Sequence, residues 1–288
     1  MKKSYLKYFS SLLLFGSNGI IASYILLSSY EIVFLRSLIG SIFLIFVFML
    51  SKNKINFLNN KKHFIYVIIS GMAMGISWML LYEAYVKIGV SIATLVYYCG
   101  PVLVMIVSPL IFNEHFTIYK VVGFIIVFTG MFLVNGNILS QASFSIGLLF
   151  SILGAVMYAV MVIFNKKAET IKGLENSMLQ LISGFLIVAI FLQIKQGLII
   201  PSVMDNIVPV LFLGIVNTGI GCYLYFSSIQ NLPAASVAIC GYIEPLSALI
   251  FSAIFLSERL SLIQMLGAFF IIGGAMLAEL SAYKRQTN

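Results

Sequence analysis

The sequence predicts an all-α membrane protein: ten transmembrane helices in two inverted five-helix repeats, with both chain ends in the cytoplasm (N-in/C-in). Three observations predict it: composition, the spacing of apolar runs, and an internal repeat. Of 288 residues, 61% are hydrophobic and 9% charged, against roughly 25% charged in a soluble domain. That leaves too little polar surface to cover a globule in water, and a bilayer supplies the missing apolar solvent.

A helix needs about 20 apolar residues to cross ~30 Å of hydrocarbon. The first run, about 8–28, follows Lys2, Lys3 and Lys7. It is as long as a span and lacks a small-x-small cleavage site, so it reads as an uncleaved helix, not a signal peptide. The second, about 30–50, holds Arg36, and a polar stretch from Ser51 to Lys62 separates it from the third, about 65–87. The fourth, about 91–111, contains Pro101; the fifth, about 118–135, starts after Thr117. The sixth to eighth cover about 144–164, 177–195 and 204–226. The ninth, about 233–255, contains Pro245, and the tenth, about 262–280, starts after Ser261. No connection is long enough for a soluble domain.

Orientation follows from lysine and arginine. With the N-terminus cytoplasmic, thirteen basic residues lie inside, three lie outside (Lys87, Lys195, Arg259), and Arg36 lies within a span. The net charge of +8 therefore marks membrane flanks, and no nucleic-acid partner is expected. Cys99, Cys222 and Cys240 lie in apolar runs without CxxC spacing, and His63 and His115 are scattered. No disulfide framework, metal site or cofactor is expected.

A shift of 144 residues aligns Gly75 with Gly219, Pro101 with Pro245, Glu114 with Glu258, Gly123 with Gly267 and Gly130 with Gly274. The repeats are assigned to 1–140 and 141–288. Five helices is an odd number, so the second copy runs inverted through the membrane. Inverted repeats with a ligand site at their interface are a transporter signature.

Ionisable groups inside a span are costly and are functional candidates by default. Glu244 lies near mid-depth of the ninth segment, roughly 16 Å from either end at 1.5 Å per residue. Pro245 follows it and should leave the carbonyl of Gly241 unbonded, loosening the helix beside a carboxyl group. That setting suits a ligand site or a coupling proton; a structural tie to a neighbouring helix is the plainer alternative. Arg36 and Glu83 both fall in the outer third of the membrane, where a pair is cheaper than two lone charges, so an ion pair is expected. Glu244 aligns with Gly100 and Glu83 with Ser227, so each carboxylate exists in one half only. Glu114 and Glu258 precede the N-cap candidates Thr117 and Ser261 and read as solvated turns.

Trp78, Tyr82 and Tyr85 share a face of the third segment; Tyr97 and Tyr98 precede Pro101; Tyr158, Tyr223 and Tyr242 sit in the sixth, eighth and ninth. Facing a cavity they would stack on a substrate or cup a cation; helix packing is the plainer reading of any one. Asn18 and Asn217 are mid-span amides suited to substrate or to another helix.

The paired Pro, the Glu thirteen residues later and the two Gly of the next helix, with Trp78–Tyr85 and Gly241–Pro245, resemble EamA-type members of the drug/metabolite transporter superfamily. The resemblance implies a central cavity lined mainly by the first, third, fourth, sixth, eighth and ninth helices. It also implies a carrier of small molecules, often an exporter of amino acids or related metabolites, in the inner (cytoplasmic) membrane, as monomer or homodimer. A multidrug or cation efflux carrier is the alternative, and the chain lacks the first-helix Glu typical of small multidrug exporters, which counts against it. Without a P-loop an ATP-driven pump is not expected; without DxxD or HExxH a lipid-processing enzyme is disfavoured; a channel would carry a filter segment.

Overall fold

The computed structural model describes residues 2–51, 55–114, 117–135, 146–197, 207–255 and 261–284, with backbone alone at 91, 135 and 279–284. Lys52, Lys54, Glu258, Arg259, Arg285 and the boundary between the repeats lie outside the described residues. Within them the chain is helical, without strands, as lipid requires when every backbone polar group must bond within its own segment.

The helices are α1 (Lys2–Gly16), α2 (Asn18–Ser23), α3 (Ser29–Leu50), α4 (Lys61–Ile88), α5 (Val90–Tyr97), α6 (Cys99–Phe112), α7 (Ile118–Asn135), α8 (Ile146–Lys167), α9 (Gly173–Gln196), α10 (Ile207–Phe212), α11 (Gly221–Ile229), α12 (Ala234–Cys240), α13 (Ile243–Phe255) and α14 (Leu262–Lys284), with a π-helical stretch from Leu213 to Ile220. Counting across short breaks, 7 described helices are long and apolar enough to cross a membrane: Ser29–Leu50, Lys61–Ile88, Ile92–Phe112, Ile146–Lys167, Gly173–Gln196, Ile207–Ile229 and Ala234–Phe255. Ile118–Val134 and Leu262–Ala278 are shorter apolar helices. The first expected segment begins six residues earlier than read and divides at Ser17 into pieces of 15 and 6 residues.

Local sequence fixes several ends. Ser28 and Glu31 close a capping box on α3, each satisfying a backbone donor the other leaves open. Thr117 accepts from Lys120 N–H at 3.3 Å, and Ser261 accepts from Gln264 N–H at 3.2 Å, so both expected N-caps are formed.

Helices α7 and α14 pack backbone against backbone. A Cβ placed on Gly123 would lie 2.5 Å from the carbonyl oxygen of Gly274, and one on Gly267 would lie 2.6 Å from that of Gly130. Only glycine allows backbones this close. Gly123 and Gly267 are repeat-equivalent, as are Gly130 and Gly274. Each contact is therefore the other with the two copies exchanged, as a two-fold axis between the copies requires. The packing of α4 on α8 and of α11 on α1 obeys the same exchange.

At one end of the bundle, Glu114 accepts the N–H groups of Ala234 and Ala235 at 2.6 and 3.1 Å. Lys166 Nζ donates to the carbonyls of Ile229 (3.2 Å) and Leu232. Gln230 Nε2 contacts the carbonyls of Asn165, Ala168 and Ile171 at 3.2, 3.1 and 3.0 Å, sharing its two hydrogens among them. Glu114 is thus not a solvated turn. It satisfies donors that α12 leaves open, because Pro233 ahead of that helix has no side-chain acceptor to cap it.

Candidate functional site

A cavity of about 100 Å³ lies at the centre of the bundle where the two copies meet. Helix α1 supplies Phe15; α4 supplies Met74, Ser77 and Trp78; the α5–α6 pair supplies Tyr97, Tyr98 and Pro101. From the second copy come Tyr158 and Met161 of α8, Cys222, Tyr225 and Phe226 of α11, and Gly241 and Glu244 beside the break between α12 and α13. Arg36 adds α3, which the resemblance did not lead one to expect.

The two helix breaks sit at equivalent places. Helix α5 ends at Tyr97 and α6 begins at Cys99; α12 ends at Cys240 and α13 begins at Ile243. Each break lies a few residues before a proline, because proline has no N–H to donate to the helix and its ring crowds the preceding turn. The Gly241 carbonyl is not left unbonded as expected: it takes the N–H of Glu244 at 3.1 Å, a tighter three-residue step that replaces the bond Pro245 cannot make. Tyr242 is fully buried, and its hydroxyl donates to the carbonyl of Tyr98 at 2.8 Å. Its side chain therefore ties one break to the other and does not line the cavity.

The cavity wall is ordered by hydrogen bonds. Ser77 donates to the carbonyl of Gly154 at 2.9 Å and lies 3.0 Å from the Tyr97 hydroxyl. With the serine proton committed to Gly154, Tyr97 is the donor to Ser77. The Tyr158 and Tyr225 hydroxyls are 3.2 Å apart.

The structure does not pair Arg36 with Glu83. Glu83 forms an ion pair with Lys195 of α9 and accepts from the Tyr30 hydroxyl at 2.6 Å, while Lys195 also donates to Tyr30 at 2.9 Å. Lys195, counted from sequence as an outer flank, reaches back along its flexible stem to the carboxylate. Arg36 instead lies over the Trp78 ring, 4.7 Å from its centroid, and lines the cavity together with Glu244.

Other candidates take structural posts. Asn217, buried in the π-helical stretch, contacts the carbonyl of Leu14, the hydroxyl of Ser17 and Oδ1 of Asn18 at 2.8, 2.9 and 2.9 Å through Nδ2. It holds the α1–α2 break, where the Leu14 carbonyl takes the N–H and the hydroxyl of Ser17 in a three-residue step, so Asn18 and Asn217 serve each other. Tyr82 packs edge-on to Tyr85, ring centroids 5.2 Å apart, among residues of the apolar cluster around Met79. Tyr223 lies under Lys7, 5.1 Å from Nζ. Pro245 lines a second cavity, of about 370 Å³, which shares Tyr98 with the first.

Sequence reasoning missed Phe15, Met74, Ser77, Met161, Cys222, Tyr225 and Phe226. A signal existed for some: Met74, Ser77 and Trp78, like Cys222, Tyr225 and Phe226, recur at i, i+3 and i+4, one face of a helix.

The EamA-like transporter family model matches this chain twice, over residues 2–136 and 145–280. "Uncharacterized transporter YxxF" of Bacillus subtilis (strain 168) is 28% identical over 271 residues, covering 93% of this chain and 86% of that protein. "Uncharacterized transporter YoaV" of the same organism is 23% identical over 261 residues, covering 88% and 87%. A solved crystal structure shares the fold, with a TM-score of 0.82 at 18% identity over 97% of this chain and 98% of its own. A duplicated family match, transporter relatives over nearly the full length and helices fit to cross a bilayer describe a multi-pass transporter of the cell membrane that moves a small molecule. This chain belongs to the EamA-like transporter family.

Proposed function

We propose that this protein is a secondary carrier that works by alternating access, with ten spans and both ends in the cytoplasm, and that it exports amino acids or related small metabolites. One observation carries the reading: the central cavity lies between two repeat-equivalent broken helices, one of which presents Glu244 to it. Broken helices beside a mid-depth cavity supply backbone and side-chain polarity where the rest of the span has none. Glu244 is the coupling group, loading a proton from one side and releasing it to the other as the cavity changes face.

Reconstituted protein tests this directly. Flux of radiolabelled L-amino acids should rise several-fold when a pH gradient is imposed, and Glu244→Gln should abolish that increase. Flux indifferent to both the gradient and the substitution would remove proton coupling through Glu244. Cysteine labelling should place both chain ends on the cytoplasmic side; ends in different compartments would refute the ten-span topology.

A further inference from the structure

We infer that Arg36 is the anion anchor of the central cavity, and that the cargo carries a carboxylate group which it holds. The inference rests on the carrier reading above and names the chemistry of its cargo.

A cation within a membrane span is costly unless an anion compensates it. The carboxylate nearest in sequence logic, Glu83, is engaged by Lys195 and Tyr30. Among the described residues Arg36 makes no ion pair and no hydrogen bond, and its Nε is buried without a partner. The Trp78 ring lies against it and attracts the guanidinium through the ring quadrupole but does not neutralise it. An aromatic platform holds the planar group in one orientation and leaves its donors uncommitted. Those donors form a fork that matches a carboxylate in two parallel bonds. Arg36 lines the cavity, so the position is one a cargo reaches.

The opposite charge completes the case. Glu244 lines the same cavity from the other copy. The rings of Tyr97, Tyr98 and Tyr158 line it too. A cargo with a carboxylate on Arg36 and an ammonium toward Glu244 would bridge the two copies, each charge meeting its complement. The cavity, of about 100 Å³, has room for such a polar head. Anything longer would extend past Tyr98, which also lines the second cavity.

Full-length protein in detergent tests this by equilibrium binding of L-amino acids, of the same amino acids as carboxamides, and of chloride. The acids should bind, and the carboxamides should bind at least tenfold more weakly. Arg36→Gln should weaken the acids roughly ten- to a hundredfold, the range for hydrogen bonds to a charged group, without changing carboxamide binding. Arg36→Lys should retain part of the affinity. Arg36→Gln without ligand should melt no lower than wild type, since it removes a charge that no ion pair or hydrogen bond among the described residues holds; a clear loss of stability would mark Arg36 as structural and overturn the assignment. Carboxamides bound as tightly as acids, equal binding by Arg36→Gln, or no binding of any acid to wild type would each overturn it too. Chloride competing at the affinity of the acids would reduce the site to a simple halide pocket. Flux in proteoliposomes separates the two readings: acids held through Arg36 but never translocated would sink the carrier and spare the anchor, and amides carried as well as acids would do the reverse.

Discussion

Tyr98 and Tyr242 occupy equivalent places in the two copies, each at a helix break three residues before a proline, yet their side chains do different work. Tyr98 faces the cavity; Tyr242 is buried and holds the backbone of Tyr98 with its hydroxyl. Two residues on, the first copy has Gly100, where an added Cβ would lie 2.8 Å from the Tyr158 ring, and the second has Glu244 in the cavity wall. The duplication has kept the backbone geometry and let the side chains diverge. Small residues mark where the copies must touch, and ionisable residues mark where one copy alone does chemistry.

The largest effect expected from this contrast lies where the copies agree. Gly274→Leu and Gly130→Leu should each destabilise the protein by about 3 kcal/mol, at the upper end for overpacking against rigid backbone, read as thermal unfolding in detergent. Unequal losses at these two sites would break the claimed exchange symmetry. Asn217→Ala should cost about 2 kcal/mol, because the hydroxyl of Ser17 and the amide of Asn18 lose a buried partner. Tyr242→Phe should cost about 1 kcal/mol for one hydrogen bond. Tyr98→Phe should leave stability unchanged, since the Tyr98 hydroxyl has no partner among the described residues, and should act on transport alone. Smallest of all, Gly273→Ala should change stability by less than about 0.5 kcal/mol: nothing lies within 4 Å of a Cβ there, next door to a glycine that touches Gly123.

The features legible in the sequence were those that recur at a fixed shift. Gly123, Gly130, Gly267 and Gly274 were identifiable as a set because a backbone contact between copies leaves no choice of residue, and both prolines announced a break for the same reason. Trp78, Tyr97, Tyr98, Tyr158 and Glu244 reached the cavity wall because polar or aromatic groups at mid-span have few other uses. The partners of the charges were not legible. Glu83 meets Lys195, and Glu114 meets the start of α12, each in the other copy, and spacing along a chain does not encode which distant helix lies alongside. For the same reason depth alone pairs Arg36 with Glu83, whereas the structure sets Arg36 over the Trp78 ring and in the cavity wall.

The glycine seam between α7 and α14 has a mechanical consequence. Side chains act as a cushion on which helices slide; where carbonyl oxygens rest on α-carbons, as at Gly123 and Gly274, no cushion exists. Sliding there would first require the backbones to separate. The seam joins one helix from each copy, so any relative motion of the copies must carry α7 and α14 together.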